Sequence, residues 1–476
     1  MASLVTSLIG YQPLRAIGVL AAMIIKDASK ELTRFIASLP LSLFAAQMVS
    51  RIILAFLMHR GRMSCSQASV AIRSDPLHRS QVTRFLGRKR WRKNDFNNPA
   101  RRRLLRLEAR RGPFLLVIDA TLVGQAGKRT ENTYSTGSKS RGKRRKKARC
   151  HKYTYARRSC HSFTFAVLIT PSGYRIPFQM PHYTHEYCER FDIIHYTTAE
   201  AAAAMIDKLE VPAGAEVYVL GDTAYEAQAV QNACKGRNFW WVCPANPERV
   251  FEGPKGQRPK VRDRLKDTSC LRPQRIRTRA SEGPFAEHRR LSTWRIGSKA
   301  KPRTYSVHQE TTQVRSVGRV SLVFSTTKED LRAAEPKDVL VLMTNATHLK
   351  ARQIVDLYAC RWQIELFFKE LKSRLGFDQY RLRKFEAALA WVELAITAVL
   401  FLETLRAEKL NDRKLDRKAR EWWRVQRLHG LCEAVIQKAE ANELKFVADR
   451  LKTRGGIAKL ARLIGLGSPK EYRHVG

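Results

Sequence analysis

Tyr358, Arg361, Glu365 and Lys372 stand three, four and seven residues apart within LYACRWQIELFFKELK, residues 357–372. A phenol, two cations and a carboxylate at those intervals are groups able to grip a phosphate beside a metal ion. The stretch holds no Gly or Pro, and Leu357, Ile364, Phe368, Leu371 and Leu375 recur at helical spacing, which predicts one amphipathic α-helix. At about 100° per residue the apolar side chains form one stripe, and the four polar ones an adjoining arc only about 60° wide. A polar arc beside the core face, rather than opposite it, predicts a cleft wall. The competing account is a surface charge ladder of Arg361, Glu365 and Lys369. Such a ladder contributes only a few tenths of a kcal/mol per pair and leaves Tyr358 and Lys372 unexplained.

Two more carboxylates stand where strands deliver them. FLLVID, residues 114–119, is an apolar run ending in Asp119, and EVYVLGD, residues 216–222, ends in Asp222; buried strands end this way when they hand a residue to a site. Either Asp alone is equally an ordinary strand-end turn residue. Together with Glu365, they form a trio that can converge at a sheet edge and hold two divalent cations roughly 4 Å apart, the arrangement used for phosphodiester chemistry. Hard oxygen ligands point to Mg²⁺, with Mn²⁺ as a substitute.

The surrounding elements assemble an α/β sheet. SFTFAVLIT and YRIPFQM, joined by Pro171-Ser172-Gly173, read as a hairpin. TTAEAAAAMIDKL opens with the capping-box pattern Thr197-x-x-Glu200. EAQAVQNAC is the next helix, NFWWVCP another strand and DVLVLMTN a returning one. The boundaries that follow are a helical region over 1–108, a core over 109–244, a β-rich insertion over 245–337, the rest of the core over 338–410 and a basic helical region over 411–476. In the first region two short helices flank Ser74-Asp75-Pro76 like a helix-turn-helix, with RSQVTRFL, residues 79–86, as the groove-facing helix. Glu393 and Glu403 in the apolar stretch 385–405 predict a core helix rather than a membrane span.

Charge names the class of partner. The chain of 476 residues carries 88 Lys+Arg against 43 Asp+Glu, a net +45, and repels itself unless it sits on a polyanion such as DNA or RNA. Lys143, Arg144, Arg145, Lys146 and Lys147 lie in the densest basic run and are expected to contact nucleic acid, a solvated loop being the alternative. No run of 18 to 20 uncharged apolar residues spans a bilayer, so no membrane partner is expected. The nine cysteines follow no disulfide framework, which fits a reducing compartment and a cytoplasmic protein. Cys150, His151, Cys160, His161, His182, His185 and Cys188 cluster without a CxxC pair or a common finger spacing; strand and loop roles are preferred over zinc.

YACRWQIELFFKELK carries Tyr358-x2-Arg361-x3-Glu365-x6-Lys372, which resembles the YREK signature of bacterial insertion-sequence DDE transposases of the IS-four-like group. Asp222-Thr-Ala224-Tyr225 resembles that group's second motif and VIDAT, around Asp119, its first. The resemblance covers roughly 110–380. It implies a ribonuclease H-like core interrupted by the β-rich insertion, with Asp119, Asp222 and Glu365 as ligands to two Mg²⁺ ions and Tyr358, Arg361 and Lys372 on a phosphate of the transposon end. It implies a bacterial, nucleoid-associated cut-and-paste DNA transposase acting on terminal inverted repeats and target DNA through a hairpin intermediate, as a homodimer in the DNA-bound synaptic complex. A hairpin needs an aromatic group for its unstacked base; Trp294, among Arg289, Arg290 and Arg295, is the candidate, packing within the insertion being the alternative. Two rivals are another ribonuclease H-like nuclease and a non-catalytic DNA-binding protein that retains terminal-repeat binding.

Overall fold

The computed structural model describes residues 29–58, 63–70, 77–88, 91, 95–125, 129–136, 158–252, 256–266, 271–278 and 303–453. Among the described residues five helices come first: α1 (Ser29–Ala37), α2 (Leu43–Met58), α3 (Cys65–Ser69), α4 (Arg79–Leu86) and α5 (Asn98–Leu107). There follow β1 (Phe114–Gln125), β2 (Tyr134–Thr136), β3 (Arg158–Ile169), β4 (Arg175–Pro181), α6 (His185–Phe191), α7 (Thr198–Asp207), β5 (Val217–Leu220), α8 (Gln228–Gly236) and β6 (Trp240–Pro244). Then come α9 (Val261–Lys266), β7 (Gln274–Arg277), β8 (Thr304–Val314), β9 (Gly318–Thr326), β10 (Leu340–Thr344), α10 (Ala351–Ala359) and α11 (Trp362–Leu375). The last described elements are α12 (Phe385–Asn411), α13 (Arg417–Val425) and α14 (Leu428–Leu451).

These form two compact units, one from Met1–Ala100, Glu370–Arg406 and Gln426–Gly476, the other from Arg101–Lys369 and Ala407–Val425. The second unit is α/β, built on a ten-stranded sheet of order β2-β3-β1-β5-β6-β10-β9-β8-β7, with β4 paired to β3. β1 runs antiparallel to β3 and parallel to β5, and β5 parallel to β6. This mixed sheet is compatible with a ribonuclease H-like core. The strands of 245–337 continue the same sheet, because β9 pairs antiparallel with β10 from Thr344↔Ser321 to Leu340↔Ser325. α7 begins at an N-cap Thr197 whose side chain and that of Glu200 form the capping box, satisfying donors the first turn leaves free.

β1 has two regimes. Phe114 to Ile118 are all buried, as in a central strand covered on both faces, and from Asp119 onward burial alternates. The strand therefore runs six residues past the acid at which the sequence predicts its end, because β3 continues to pair with it as far as Gln125↔Ser159. The shorter β5 is the strand that stops: its last partner pair is Val117↔Leu220.

In the first unit α3 and α4 form the two short helices expected of the helix-turn-helix, α4 capped by His78 with Gln81. Val82, Phe85 and Leu86 are buried and Arg79, Gln81 and Arg84 exposed. α12 is long and apolar enough to cross a membrane by length and composition alone, but 89% of its most apolar window is buried inside the fold. Trp391 packs edge-on against Phe56 at 4.9 Å and Phe401 against Phe35 at 5.5 Å, and the buried Glu403 pairs with Arg406 at 2.6 Å.

His161 on β3 is wholly buried and donates through Nε2 to the Glu131 carbonyl at 2.9 Å. Burial pushes its pKa down to about 4 from the ordinary 6.5. Because the folded value is depressed, unfolding takes up a proton between those two values, and the stability present above pH 6.5 is lost as the pH falls toward 4. In denaturant titrations His161→Gln should flatten that fall by on the order of 3 kcal/mol relative to wild type; an unchanged slope would contradict a neutral buried imidazole.

Candidate active site

The β1–β5 register places the two aspartates. The parallel pairing ends at Val117↔Leu220, and Asp119 and Asp222 each stand two residues beyond it, Asp119 still within β1 and Asp222 just past the end of β5, on the carboxyl-terminal side of the parallel pairing where α/β sheets bind ligands. Each carboxylate has one oxygen fixed locally: Asp119 Oδ1 accepts from the Ala120 N–H at 2.8 Å and Asp222 Oδ1 from the Ala224 N–H at 2.9 Å. The turn carrying Asp222 is tight, since a Cβ on Gly221 would lie 2.7 Å from the Tyr225 Cβ.

Glu365 arrives from the helical side. It lies in the first turn of α11, where the exposed N–H groups and the helix dipole favour negative charge. Phe165, the cross-strand partner of Asp119, packs edge-on against Phe368 at 5.5 Å and tilted against Phe367 at 6.4 Å. That aromatic contact holds α11 against β3, the strand next to the one that carries Asp119.

Arg361 joins the two. Its Nη2 donates to Glu365 Oε1 at 2.5 Å and its Nη1 reaches Asp119 Oδ2 at 3.5 Å, with the three side chains 18%, 32% and 19% exposed. The i,i+4 pair of the charge-ladder account therefore forms, but the same guanidinium also reaches a strand 242 residues away in sequence. Its centre lies 5.9 Å from the Tyr358 ring centroid, a cation–π distance.

The electrostatics tie all three acids together. Burial raises the Asp119 pKa above the usual carboxylate value, and the charges of Asp222 and Glu365 raise it further, while the Ala120 N–H and Arg361 pull the other way. Burial also raises the Tyr358 phenol, with Arg361 opposing and Asp222 adding to the rise. Burial works against the charge on Arg361, yet Tyr358, Glu365 and Asp119 together hold its pKa above the ordinary one.

One expectation needs correction. The stretch 357–372 is not one helix: α10 ends at Ala359 and α11 starts at Trp362. The Cys360, Arg361, Gln363 and Ile364 N–H groups bond to carbonyls three residues back, a 3₁₀-like tightening, and the Cys360 thiol donates to the Asp356 carbonyl. The single 60° arc therefore does not exist, and Tyr358 and Arg361 meet across a helix junction. The apolar stripe is intact, with Leu357, Ile364, Phe368, Leu371 and Leu375 all buried. Among the described residues no three His, Cys, Asp or Glu side chains gather closely enough to hold a metal ion. The three acids share one electrostatic neighbourhood, but Arg361 stands between Asp119 and Glu365. In kind the donors fit a hard divalent cation: they are anionic, all-oxygen and in excess over local positive charge.

Lys372 lies about two turns beyond Glu365 on α11. Lys143, Arg144, Arg145, Lys146, Lys147 and Trp294 lie outside the described residues, as do Cys150 and His151. The described histidines of the Cys/His cluster have other partners: His161 holds the Glu131 carbonyl, His182 the Thr164 hydroxyl, and His185 stacks on His195 at 4.0 Å. Sequence reasoning missed Glu226, whose side chain is 1% exposed and accepts from the Asn246 N–H at 2.8 Å and from Arg249 Nε. It clamps the Asp222 turn to the start of the 245–337 segment, and its adjacency to Tyr225 was the one signal available.

Residues 196–401 match the family model described as the transposase DDE domain. That span contains Asp222, Tyr358, Arg361, Glu365 and Lys372 and begins beyond Asp119. Over 55 residues the chain is 42% identical to the putative transposase InsL for insertion sequence element IS186A of Escherichia coli strain K12, and to the transposase for insertion sequence element IS421 of Escherichia coli. Those residues are 12% of this chain, which thus spans 15% of the length of the curated relatives it matches. Over the part that supplies its second aspartate and its glutamate, the chain is similar to a transposase DDE domain.

Proposed function

We propose that this protein is an insertion-sequence transposase that cuts the ends of a DNA element and joins them to target DNA, with Asp119, Asp222 and Glu365 as its catalytic carboxylates. The observation that carries the reading is the meeting of Asp119, just past the β1–β5 pairing, with Glu365 on α11 through one arginine, within a chain whose residues 196–401 match the transposase DDE domain. A net charge of +45 supplies the sequence-independent attraction to the phosphate backbone.

The three acids would hold two hard divalent cations, Mg²⁺ or Mn²⁺. When bound, such ions supply Lewis acidity at the scissile phosphate. The protein's own groups bind and orient. The Arg361 guanidinium donates to phosphate oxygens as a planar fork, the Tyr358 phenol donates beside it, and Lys372 adds a point charge further along the strand. Water first displaces the 3′-oxygen at the element's end. The freed 3′-hydroxyl then attacks the opposite strand, giving the hairpin whose unstacked base Trp294 would receive; water reopens it, and the same hydroxyl attacks target DNA. Each attack of the 3′-hydroxyl forms one phosphorus–oxygen bond as another breaks, so neither joining step needs an outside energy source. Two ends handled in one synaptic complex imply a homodimer on DNA.

Glu365→Gln, Asp119→Asn or Asp222→Asn should each lower Mg²⁺-dependent cleavage of end-containing DNA by on the order of 100-fold or more, with binding retained in a gel-shift assay; survival of cleavage would remove that acid from the set. Lys372→Ala should weaken binding to every DNA sequence alike and reduce the slope of log affinity against log salt by about one, measured by fluorescence anisotropy. An unchanged slope would leave Lys372 without a phosphate.

A further inference from the structure

Arg361 does something in this site that phosphate binding does not explain. Its fork spans two acids, Glu365 on its own helical segment at 2.5 Å and Asp119 on β1 at 3.5 Å. The whole constellation is largely shielded from water, Arg361 being 18% exposed and Asp119 19%. Half-buried carboxylates that feel one another's charge need a compensating cation. Among the described residues Arg361 is the cation in direct ion pairs with both Asp119 and Glu365.

We infer that the Arg361 guanidinium is the site's internal counter-cation, occupying the position between Asp119 and Glu365 that a divalent cation needs, so that cation uptake requires Arg361 to leave. This rests on the reading of the three acids as a cation site. The competition is for the same lone pairs: Asp119 Oδ2 and Glu365 Oε1 face the guanidinium. A lysine or histidine could yield by losing its proton, but a guanidinium stays charged at any pH a protein tolerates, so Arg361 has to move. Arg361 sits at the junction of α10 and α11, where hydrogen bonds run to carbonyls three residues back, and tightened stretches of this kind mark hinges. The Tyr358 ring, 5.9 Å away, offers the departing cation a second partner. The same wedge accounts for the lack, among the described residues, of any three acidic, histidine or cysteine side chains close enough to hold a metal.

The test is Mn²⁺ titration of the full chain without DNA by isothermal calorimetry, comparing wild type, Arg361→Gln and Arg361→Lys. Removing the guanidinium should tighten Mn²⁺ binding roughly tenfold or more, the equivalent of one charge-assisted hydrogen bond. Lysine, a single point charge that cannot span both acids, should give a smaller rise in the same direction, and it carries the test if the glutamine variant does not fold. Mn²⁺ should also raise the melting temperature of Arg361→Gln by more than it raises that of wild type. Equal or weaker Mn²⁺ binding in both variants would overturn the inference while leaving the carboxylate reading in place, for Arg361 would then merely fasten α11 to β1. If neither the variants nor wild type takes up Mn²⁺, the inference and the carboxylate reading fail together.

Discussion

The parallel pairing of β1 with β5, ending at Val117↔Leu220, is the constraint on which the site depends. It fixes how Asp119 and Asp222 stand relative to each other, and it does so through backbone hydrogen bonds, which do not slip while one face is buried. The continuous apolar run from Phe114 to Ile118 holds that register by making β1 a central strand. What β1 does afterward matters as much: by remaining paired to β3 out to Gln125, it gives Asp119 a rigid mount rather than a loop. Phe165, across the ladder from Asp119, then presents the ring on which Phe367 and Phe368 seat α11. A strand register and an aromatic contact thus bring together two acids, Asp119 and Glu365, that are 246 positions apart in the chain.

Local signals in the sequence read well. Apolar runs found the strands on which the aspartates ride, the Thr197-x-x-Glu200 pattern found the start of α7, and the Pro171-Ser172-Gly173 turn found the β3–β4 hairpin. Long-range consequences read badly. The end of β1 was set by β3, a partner more than thirty residues away, and not by the acid. The break between α10 and α11 involves no Gly or Pro; it shows as hydrogen bonds to carbonyls three residues back and a thiol bonded to the Asp356 carbonyl, neither of which leaves a compositional trace. Glu226 offered only its adjacency to Tyr225 as a signal, because its partners Asn246 and Arg249 lie some twenty residues on. A single helix would bring Tyr358, Arg361 and Glu365 together along one face; in the fold the phenol meets the guanidinium across the α10–α11 junction instead.

Charge runs at two scales. Over the whole chain an excess of 45 positive charges favours a polyanion at long range and weakens as salt rises. At the site the balance reverses, because two carboxylates, Asp119 and Glu365, share one arginine, and burial with the charge of Asp222 raises the pKa of Asp119. A locally anionic, half-buried pocket in a strongly cationic protein is costly to leave uncompensated, which is why cation occupancy and Arg361 belong to one problem.

The most direct measurement is the anomalous-difference density of a crystal soaked in Mn²⁺. A peak within coordination distance of carboxylate oxygens from Asp119, Asp222 and Glu365 together is what this account predicts. Mn²⁺ bound elsewhere, or held by acids that exclude one of these three, would contradict it.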